Sequence, residues 1–438
     1  MKIASVKGFH DVLPGESARW TWIEQRSRDL LGRYGYSEIR LPIVERTELF
    51  SRSIGDTTDI VEKEMYTFDD RDGSLLTLRP EGTAALVRAY VEHAIAQREP
   101  ISKLYYLGPM FRREKPQKGR QRQFHQIGVE VIGRDDAAID AEVLLLLHDL
   151  MGALHIRQPR IELNSLGCSN CRPAYRDVLR AYGEARRASL CENCARRLER
   201  NPLRLLDCKV ATCRDATADA PVMLDHLDSA CKQHFDAVRA VLDRETVPYA
   251  LSPRMVRGLD YYCRTAFEVV AEGLGSQNAV GGGGRYDGLV KELGGPDAPG
   301  IGFALGVERL VLSMADHPEA LPLPPDIFLA PLGSAAEAET MHAAHRWRHD
   351  GLRVEMGSGG RSLKSQMRFA DKTAAPFVLI VGEDEVAAGA ATVRDMQAKK
   401  DFPKAVALIA DGTALRQALA QLAASGEEKK AESGGAAS

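Results

Sequence analysis

Between Tyr106 and Glu130 the chain reads YLGPMFRREKPQKGRQRQFHQIGVE, two strand-like runs joined by a basic loop. Alternate side chains of a pleated strand share a face, so Phe124, Gln126 and Glu130 point one way while Ile127, Val129 and Val131 point the other. One face is apolar and the other can do chemistry. The first run is expected to hold Met110, Arg112 and Glu114 in register on one side, with Arg113, Lys115, Lys118, Arg120 and Arg122 in the loop. Such a hairpin can hold a phosphate, a flat ring and a polar ligand together.

Arg112, Arg257 in RGLDYY and Arg309 in GFALGVER come from distant parts of the chain. A lone arginine is usually a surface ion-pair partner; three that converge fit a triphosphate, because the planar guanidinium binds phosphate oxygens in pairs. Cations near the α-phosphorus would stabilise the negative charge that develops as pyrophosphate leaves. Mg²⁺ would share that task, with Glu114 as an oxygen ligand. Glu81, Gly82 and Thr83 fall where a strand gives way to the helix AALVRAYVEHAI, a shelf of outward N–H groups and short polar side chains. The glycines 281–284 match neither a dinucleotide fingerprint nor a P-loop, and read as a tight turn or as a floor against which a ligand lies.

The positioning elements are legible around these residues. Trp20, Ile23, Leu30, Leu31 and Tyr34 recur at helical spacing up to Gly35; EIRLPIVE is a short strand interrupted by Pro42; and MYTFDDRDGSLLTLRPEG is a hairpin turning at Asp72-Gly73. From about 160 to 250 charged, cysteine-containing helical segments suggest an inserted subdomain, after which the sheet resumes and a helix is expected to start near Ala304. LPLPPD at 321–326 reads as a linker to strands DIFLAPL, FVLIVG, ATVRDM and KAVALIA interleaved with helices at 335–350, 361–371 and 413–424. The 438 residues exceed one hydrophobic core, and a net charge of −3 leaves nucleic-acid binding to local basic patches. The N-terminus lacks an apolar signal core and the run at 141–155 is too short to span a bilayer, so a cytoplasmic protein with no membrane partner is expected.

Taken together, YGYSEIRLPIVE, FRREKPQKGRQRQFHQIGVEVIG and GFALGVERL resemble the three motifs of class II aminoacyl-tRNA synthetases. LRPEGTA, RGLDYYCRTAFE and GGGRYDGLV narrow the likeness to the bacterial-type histidyl-tRNA synthetases, over nearly the whole length. The resemblance implies an α+β protein: a catalytic domain over 1–320 built on an antiparallel sheet with flanking helices, an inserted helical subdomain at about 168–248, and an α/β anticodon-binding domain at 326–424; the polar, low-complexity tail at 425–438 is expected to be disordered.

It also implies roles. Glu81 and Thr83, beside Gly82 and with Gln126, would bind the α-ammonium of L-histidine; Glu130 and Tyr262 would read its imidazole, with Tyr261 lining the same pocket. A carboxylate and a phenol can satisfy both ring nitrogens, whereas another side chain would leave buried polar groups unpaired. Arg112 and Arg257 would act at the α-phosphate and the reacting carboxylate, Arg309 at the γ-phosphate, and Phe124 under the adenine, with Glu114 also on the ATP side. Gln117, Lys118 and Arg120 would meet the acceptor end of tRNA(His). The implied enzyme is a homodimer, and the activity is ATP-dependent histidylation through an adenylate. FRRE stands where the family often has FRHE, which leaves Arg112 and Glu114 intact. The competing reading is a catalytically inactive regulatory subunit of the histidine-biosynthesis ATP phosphoribosyltransferase. His125 alternates away from Gln126 and Glu130, and is expected to be packed or superficial.

Seven of the eight cysteines lie between Cys168 and Cys231, a pattern that does not describe a secreted disulfide scaffold. Cys168, Cys171, Cys191 and Cys194 have the spacing of a four-thiolate structural zinc site, with Cys208 and Cys213 close behind; unliganded reduced thiols are the expectation and a structural zinc the alternative.

Overall fold

A computed structural model describes residues 3–55, 58, 60–275 and 278–434. The chain forms two compact units, Met1–Leu321 and Pro322–Ser438. In the first unit the strands are β1 (Ser37–Glu38), β2 (Val44–Arg46), β3 (Tyr66–Asp69), β4 (Leu75–Leu78), β5 (Ser102–Phe111), β6 (Gln123–Ile132), β7 (Arg160–Ser165), β8 (Tyr249–Leu251), β9 (Cys263–Val270), β10 (Ala279–Arg285) and β11 (Gly300–Gly306). Eight of them make one sheet in the order β1-β5-β6-β11-β10-β9-β7-β8, antiparallel except at its two ends, and β2-β4-β3 make a smaller one. Pro42 separates β1 from β2, as a residue without an amide hydrogen should. Gly73, at φ 84°, closes the β3–β4 hairpin.

The two faces of the large sheet have different work. Ile127, Val129 and Val131 of β6, Ile301, Phe303 and Leu305 of β11, and Phe267 and Val269 of β9 are all buried in the main core. Above them lie helix Ala137–Ala153, which contributes Val143, Leu144 and Leu147, and helix Ser229–Arg244, which contributes Val238 and Leu242. Each such side chain contributes about 1.5–3 kcal/mol by leaving water. Helix Glu16–Arg33 adds Trp22, Ile23 and Leu31 to this core and ends before Gly35, whose φ of 80° no helix can continue. The interior also holds a charge network. Asp140 accepts from Arg285 Nε at 2.8 Å and Thr265 at 2.5 Å and contacts His234 Nε2 at 2.7 Å, which ties the sheet to both covering helices.

Three local expectations are corrected in this unit. Ala304 lies inside β11, because Ile301, Phe303 and Leu305 alternate toward the core while β11 pairs with both β6 and β10; the helix begins at Val307. Glycines 281–284 form the middle of β10 and not a turn. A Cβ at Gly283 would lie 2.0 Å from the Gly302 carbonyl, so only glycine permits the strands to approach this closely. Arg112 and Glu114 lie beyond the end of β5, where the Arg112 N–H donates to the Arg122 carbonyl at 2.8 Å. Between β7 and β8 the chain forms helices Cys171–Glu184, Glu192–Arg200, Ala211–Ala216 and Ser229–Arg244.

The second unit is a mixed sheet of β12 (Ile327–Pro331), β13 (Val354–Met356), β14 (Phe377–Val381), β15 (Ala390–Asp395) and β16 (Lys400–Ala407), in the order β13-β12-β14-β15-β16. Helices Ser334–His349 and Leu363–Thr373 cross over between its parallel strands. The short strand β13 and the helix Glu383–Ala388 have no counterpart among the elements expected from sequence. The last helix runs from Gly412 to Gly434, into the segment 425–438 that was expected to lack structure; alanine, glutamate and lysine favour helix. Residues 435–438 lie outside the described ones. Among the described residues no helix is long and apolar enough to cross a membrane.

Candidate active site

The polar face of the large sheet opens into a cavity of about 390 Å³. Strand parity sets its floor. Because Ile127 and Val129 face the core, Gln126 and Phe124 face the cavity; because Phe267 and Val269 face the core, Glu268 faces the cavity. Arg112, Glu114 and Arg120 reach it from the segment after β5, Arg257, Tyr261 and Tyr262 from the segment before β9, and Arg309 from the helix Val307–Ser313. Glu81 and Thr83 enter from the start of helix Thr83–Glu92.

The three arginines expected to converge do so, Arg112 and Arg309 held by backbone carbonyls and Arg257 by a carboxylate. Arg112 Nε donates to the Pro80 carbonyl at 2.9 Å and its guanidinium stands 5.2 Å from the Phe124 ring centre. Arg309 Nε donates to the Gly119 carbonyl at 3.1 Å, and its other arm reaches the Ala279 carbonyl. Arg257 donates to Glu268 at 2.5 Å and lies over Tyr262, 5.4 Å from the ring centre. Burial opposes the Arg257 charge, but Tyr262 and Glu268 outweigh it and raise its pKa; burial lowers that of Arg309, with Arg120 and Arg112 adding repulsion. Both remain cations at any physiological pH.

The acidic end is buried and ordered. Glu81 accepts from the Thr83 N–H at 2.7 Å and the Ala84 N–H at 2.9 Å, so its carboxylate caps the helix it precedes. Burial raises its pKa against those two donors and Arg112. Glu130 does not line the cavity. It lies beneath it, 1% exposed, accepting from Thr83 Oγ1 at 2.6 Å and from the Tyr286 hydroxyl at 2.6 Å. Burial pushes its carboxyl up to about 8, and Glu81 adds to the effect.

Gly82 provides space and no contact with the cavity: a Cβ there would lie 2.2 Å from a Tyr106 ring carbon, and one at Gly128 would lie 1.9 Å from it. These two glycines leave room for the Tyr106 ring between them. Gln117 and Arg120 pair backbone to backbone at 2.9 and 3.0 Å around Gly119, leaving Lys118 exposed at the tip; Arg120 also holds Glu114 at 3.1 Å. His125 is half-buried, with Nδ1 3.1 Å from Glu308 and its ring against Trp20.

Buried polar atoms that no described residue satisfies gather here: Gln126 Oε1, Arg257 Nε, and the hydroxyls of Tyr106 and Tyr261. A buried donor or acceptor left unmade costs about 1–3 kcal/mol, so the pocket is built for a polar occupant. Sequence reasoning missed Tyr106, Glu268 and Tyr286. Glu268 had a signal, a single charge at the wrong parity for the core in AFEVV. Tyr286 stands inside GGGRYDGLV, without a period to mark it.

The two Cys-x2-Cys pairs do not share one centre. Cys191 and Cys194 gather with Cys208 and Cys213, whereas Cys168 and Cys171 gather with Asp228 and Cys231. Spacing along the chain could not foresee this, because the helix Cys171–Glu184 separates the pairs.

An antiparallel sheet that brings arginines from a strand-loop-strand unit and from a strand-helix junction over a shelf of buried acids defines a class II aminoacyl-tRNA synthetase. Residues 8–310 match the family model described as histidyl-tRNA synthetase, and residues 326–408 match that of an anticodon binding domain. The chain is 54% identical over 394 residues to a histidine–tRNA ligase of Geobacter metallireducens, covering 90% of this chain and 95% of that one. It is also 54% identical over 406 residues to a histidine–tRNA ligase of Syntrophotalea carbinolica, covering 93% and 97%. The structure of apo Staphylococcus aureus histidyl-tRNA synthetase superimposes with a TM-score of 0.76 at 35% identity, over 92% of this chain and 97% of that one. The chain belongs to the histidyl-tRNA synthetase family. A Bacillus halodurans protein described as an ATP phosphoribosyltransferase regulatory subunit/histidyl-tRNA synthetase shares the fold at 20% identity and a TM-score of 0.64, over 87% of this chain and 99% of that one. Fold alone therefore does not separate enzyme from regulator; the identities to the ligases do not favour the regulatory reading.

Proposed function

We propose that this chain attaches L-histidine to its cognate tRNA in two steps. In the first, the histidine carboxylate attacks the α-phosphorus of ATP in line, forming histidyl-adenylate and releasing pyrophosphate. In the second, the terminal ribose hydroxyl of the tRNA attacks the acyl carbon and AMP leaves. The observation that carries this reading is the single cavity in which Arg112, Arg257 and Arg309 face Glu81, Gln126 and Tyr261.

No protein nucleophile is needed; holding the carboxylate against the phosphorus and stabilising the charge that develops supply the rate. Arg257 spans the reacting carboxylate and the α-phosphate, Arg112 the α-phosphate, and Arg309 the γ-phosphate. Phe124, already paired with Arg112, provides a face for adenine. Glu81, Thr83 and Gln126 take the α-ammonium, Gln126 with its unsatisfied Oε1. Tyr261 and Tyr262 close around the imidazole with Glu130 behind Thr83. Glu114, a carboxylate at the cavity wall, would be an oxygen ligand for Mg²⁺ bound with ATP, which would supply neutralisation of phosphate charge. The proton released in the second step goes to an adenylate phosphate oxygen or to a carboxylate such as Glu81.

The basic loop around Lys118 faces the tRNA acceptor end, and the unit from Pro322 onward binds the anticodon, in line with its family match. A cytoplasmic homodimer completes the reading, with YGYSEIRLPIVE as the dimer-forming segment. Histidine-dependent exchange of labelled pyrophosphate into ATP is the test. Exchange with histidine alone among the amino acids, lost in Arg257→Ala, is expected; intact histidine binding without exchange would replace this reading with the regulatory one.

A further inference from the structure

Outside the cavity, two groups of soft ligands stand in the segment between β7 and β8. In one, the sulfurs of Cys191, Cys194, Cys208 and Cys213 all lie within 4.8 Å of one another; in the other, so do those of Cys168, Cys171 and Cys231 and an oxygen of Asp228. Local structure builds both. Cys191 immediately precedes helix Glu192–Arg200, which places Cys194 on its first turn, and the short turn Pro202–Leu205 returns the chain so that Cys208 and Cys213 meet them. In the second group Asp228 caps helix Ser229–Arg244 by accepting from the Cys231 N–H at 2.7 Å, with its other oxygen 3.1 Å from Cys168 Sγ.

The spacings select among the fates of clustered cysteines. A disulfide holds its sulfurs about 2.05 Å apart, and all eight cysteines are free. Four thiolates on a tetrahedral zinc at about 2.3 Å lie about 3.8 Å from one another. The sulfurs stand 3.7 Å apart in Cys168–Cys171, 3.9 Å in Cys171–Cys231 and 4.0 Å in Cys191–Cys208. Backbone N–H groups are also aimed at the sulfurs: Cys191 N–H to Cys213 Sγ at 2.9 Å, Cys168 N–H to Cys171 Sγ at 3.1 Å and Asn170 N–H to Cys168 Sγ at 3.3 Å.

We propose that this chain holds two structural zinc ions, one on Cys191, Cys194, Cys208 and Cys213 and one on Cys168, Cys171, Cys231 and Asp228. As each thiol sulfur bonds the metal its proton goes to solvent. Thiolate-rich tetrahedral sites select zinc over magnesium or calcium. The fold gives the ions a task, because the apolar cluster at the first site consists of the cysteines with Leu190, Leu198 and Leu205 and little else. So small a core needs a further cross-link. The ions would also steady the cavity wall. Arg172, next to Cys171, donates to the Tyr262 carbonyl, the Arg264 N–H donates to the Gly167 carbonyl at 2.9 Å, and Arg204 donates to the Gly258 carbonyl at 2.9 Å. These bonds hold the stretch that carries Arg257, Tyr261 and Tyr262.

Elemental analysis of the full chain, purified under reducing conditions without chelator, tests this directly. Two zinc per chain are expected, falling to one in Cys208→Ser and to one in Cys231→Ser. A zinc content that Cys208→Ser abolishes and Cys231→Ser leaves unchanged would overturn the second site; no zinc would overturn both. Should a variant fail to fold, the wild-type chain exchanged with Co²⁺ still decides: thiolate-to-cobalt charge transfer with tetrahedral d–d bands at two equivalents is expected, and octahedral spectra would refute the proposal.

Discussion

Thr83 gives its hydroxyl hydrogen to Glu130 at 2.6 Å, across the boundary between the helix that carries one and the strand that carries the other. The second Glu130 oxygen takes the Tyr286 hydroxyl at the same distance, and Gly302 faces it across the sheet, where a Cβ would lie 1.8 Å from that oxygen. A carboxyl is thus buried beneath the cavity with both oxygens used. Any imidazole bound above it meets a site whose charge state depends on burial more than on solvent.

That burial makes a pH prediction. With its carboxyl pushed up to about 8 in the folded chain and 4.5 as its ordinary value, Glu130 keeps a proton that the unfolded chain loses over this interval. The folded state then binds more protons, so the group's contribution to stability falls as pH rises from about 4.5 to about 8 and levels off above that. At 1.36 kcal/mol per unit the whole loss is at most about 5 kcal/mol. Glu130→Gln should therefore gain on the wild type between pH 5.5 and 8, by a kcal/mol or more in urea unfolding. Parallel curves for the two proteins would refute a raised Glu130.

Glu268 touches no expected substrate group, yet it holds the Arg257 guanidinium at 2.5 Å. We expect Glu268→Gln to slow single-turnover adenylate formation about 5- to 30-fold, less than the roughly 10²–10³-fold expected for Arg257→Ala. Because the carboxylate acts through the arginine, the double variant should be no slower than Arg257→Ala alone. Additive losses would show that Glu268 has a separate role.

Much of this arrangement is visible in the chain before any coordinates. The parity of QFHQIGVEVI separates the core side chains of β6 from Phe124 and Gln126, and the Asp72-Gly73 turn and the helix ending at Gly35 follow from local rules. Convergence is different. No period relates Arg112, Arg257 and Arg309; their common fit to a triphosphate suggested that they meet, and the likeness to known motifs gave each its place. Ala304 shows the limit of local reading: GIGFALGVERL suits a helix, but pairing on both sides makes its first half a strand. Glu130 is similar, since parity gives the face on which it lies but not its depth, which Thr83 and Tyr286 decide.

The glycines around Tyr106 should prove as exacting as any polar residue. A methyl at Gly128 would enter the Tyr106 ring at 1.9 Å, and neither the ring, buried beneath Gly82, nor the strand can yield cheaply. Gly128→Ala is expected to destabilise the first unit by about 1–3 kcal/mol, within the range for overpacked cores. Adding Tyr106→Ala should recover part of that loss relative to Tyr106→Ala alone. If Gly128→Ala melts like the wild type, the close approach of ring and strand is not tight.

Lys115 and Lys118 are exposed in a loop whose base, Arg120, is fixed to Glu114 and lines the cavity. That geometry divides the loop: its base belongs to the ATP side and its tip can meet only a larger partner. Replacing Lys115 and Lys118 with alanine should leave tRNA-free pyrophosphate exchange within about twofold of wild type while weakening tRNA binding. Each lost phosphate contact lowers the dependence of log K on log salt by about one. The double variant should therefore lose affinity chiefly at low salt and converge with wild type as salt rises. A parallel displacement of the two salt plots would mean that the lysines contact no phosphate, and a fall in tRNA-free exchange would place the tip of the loop in the ATP site.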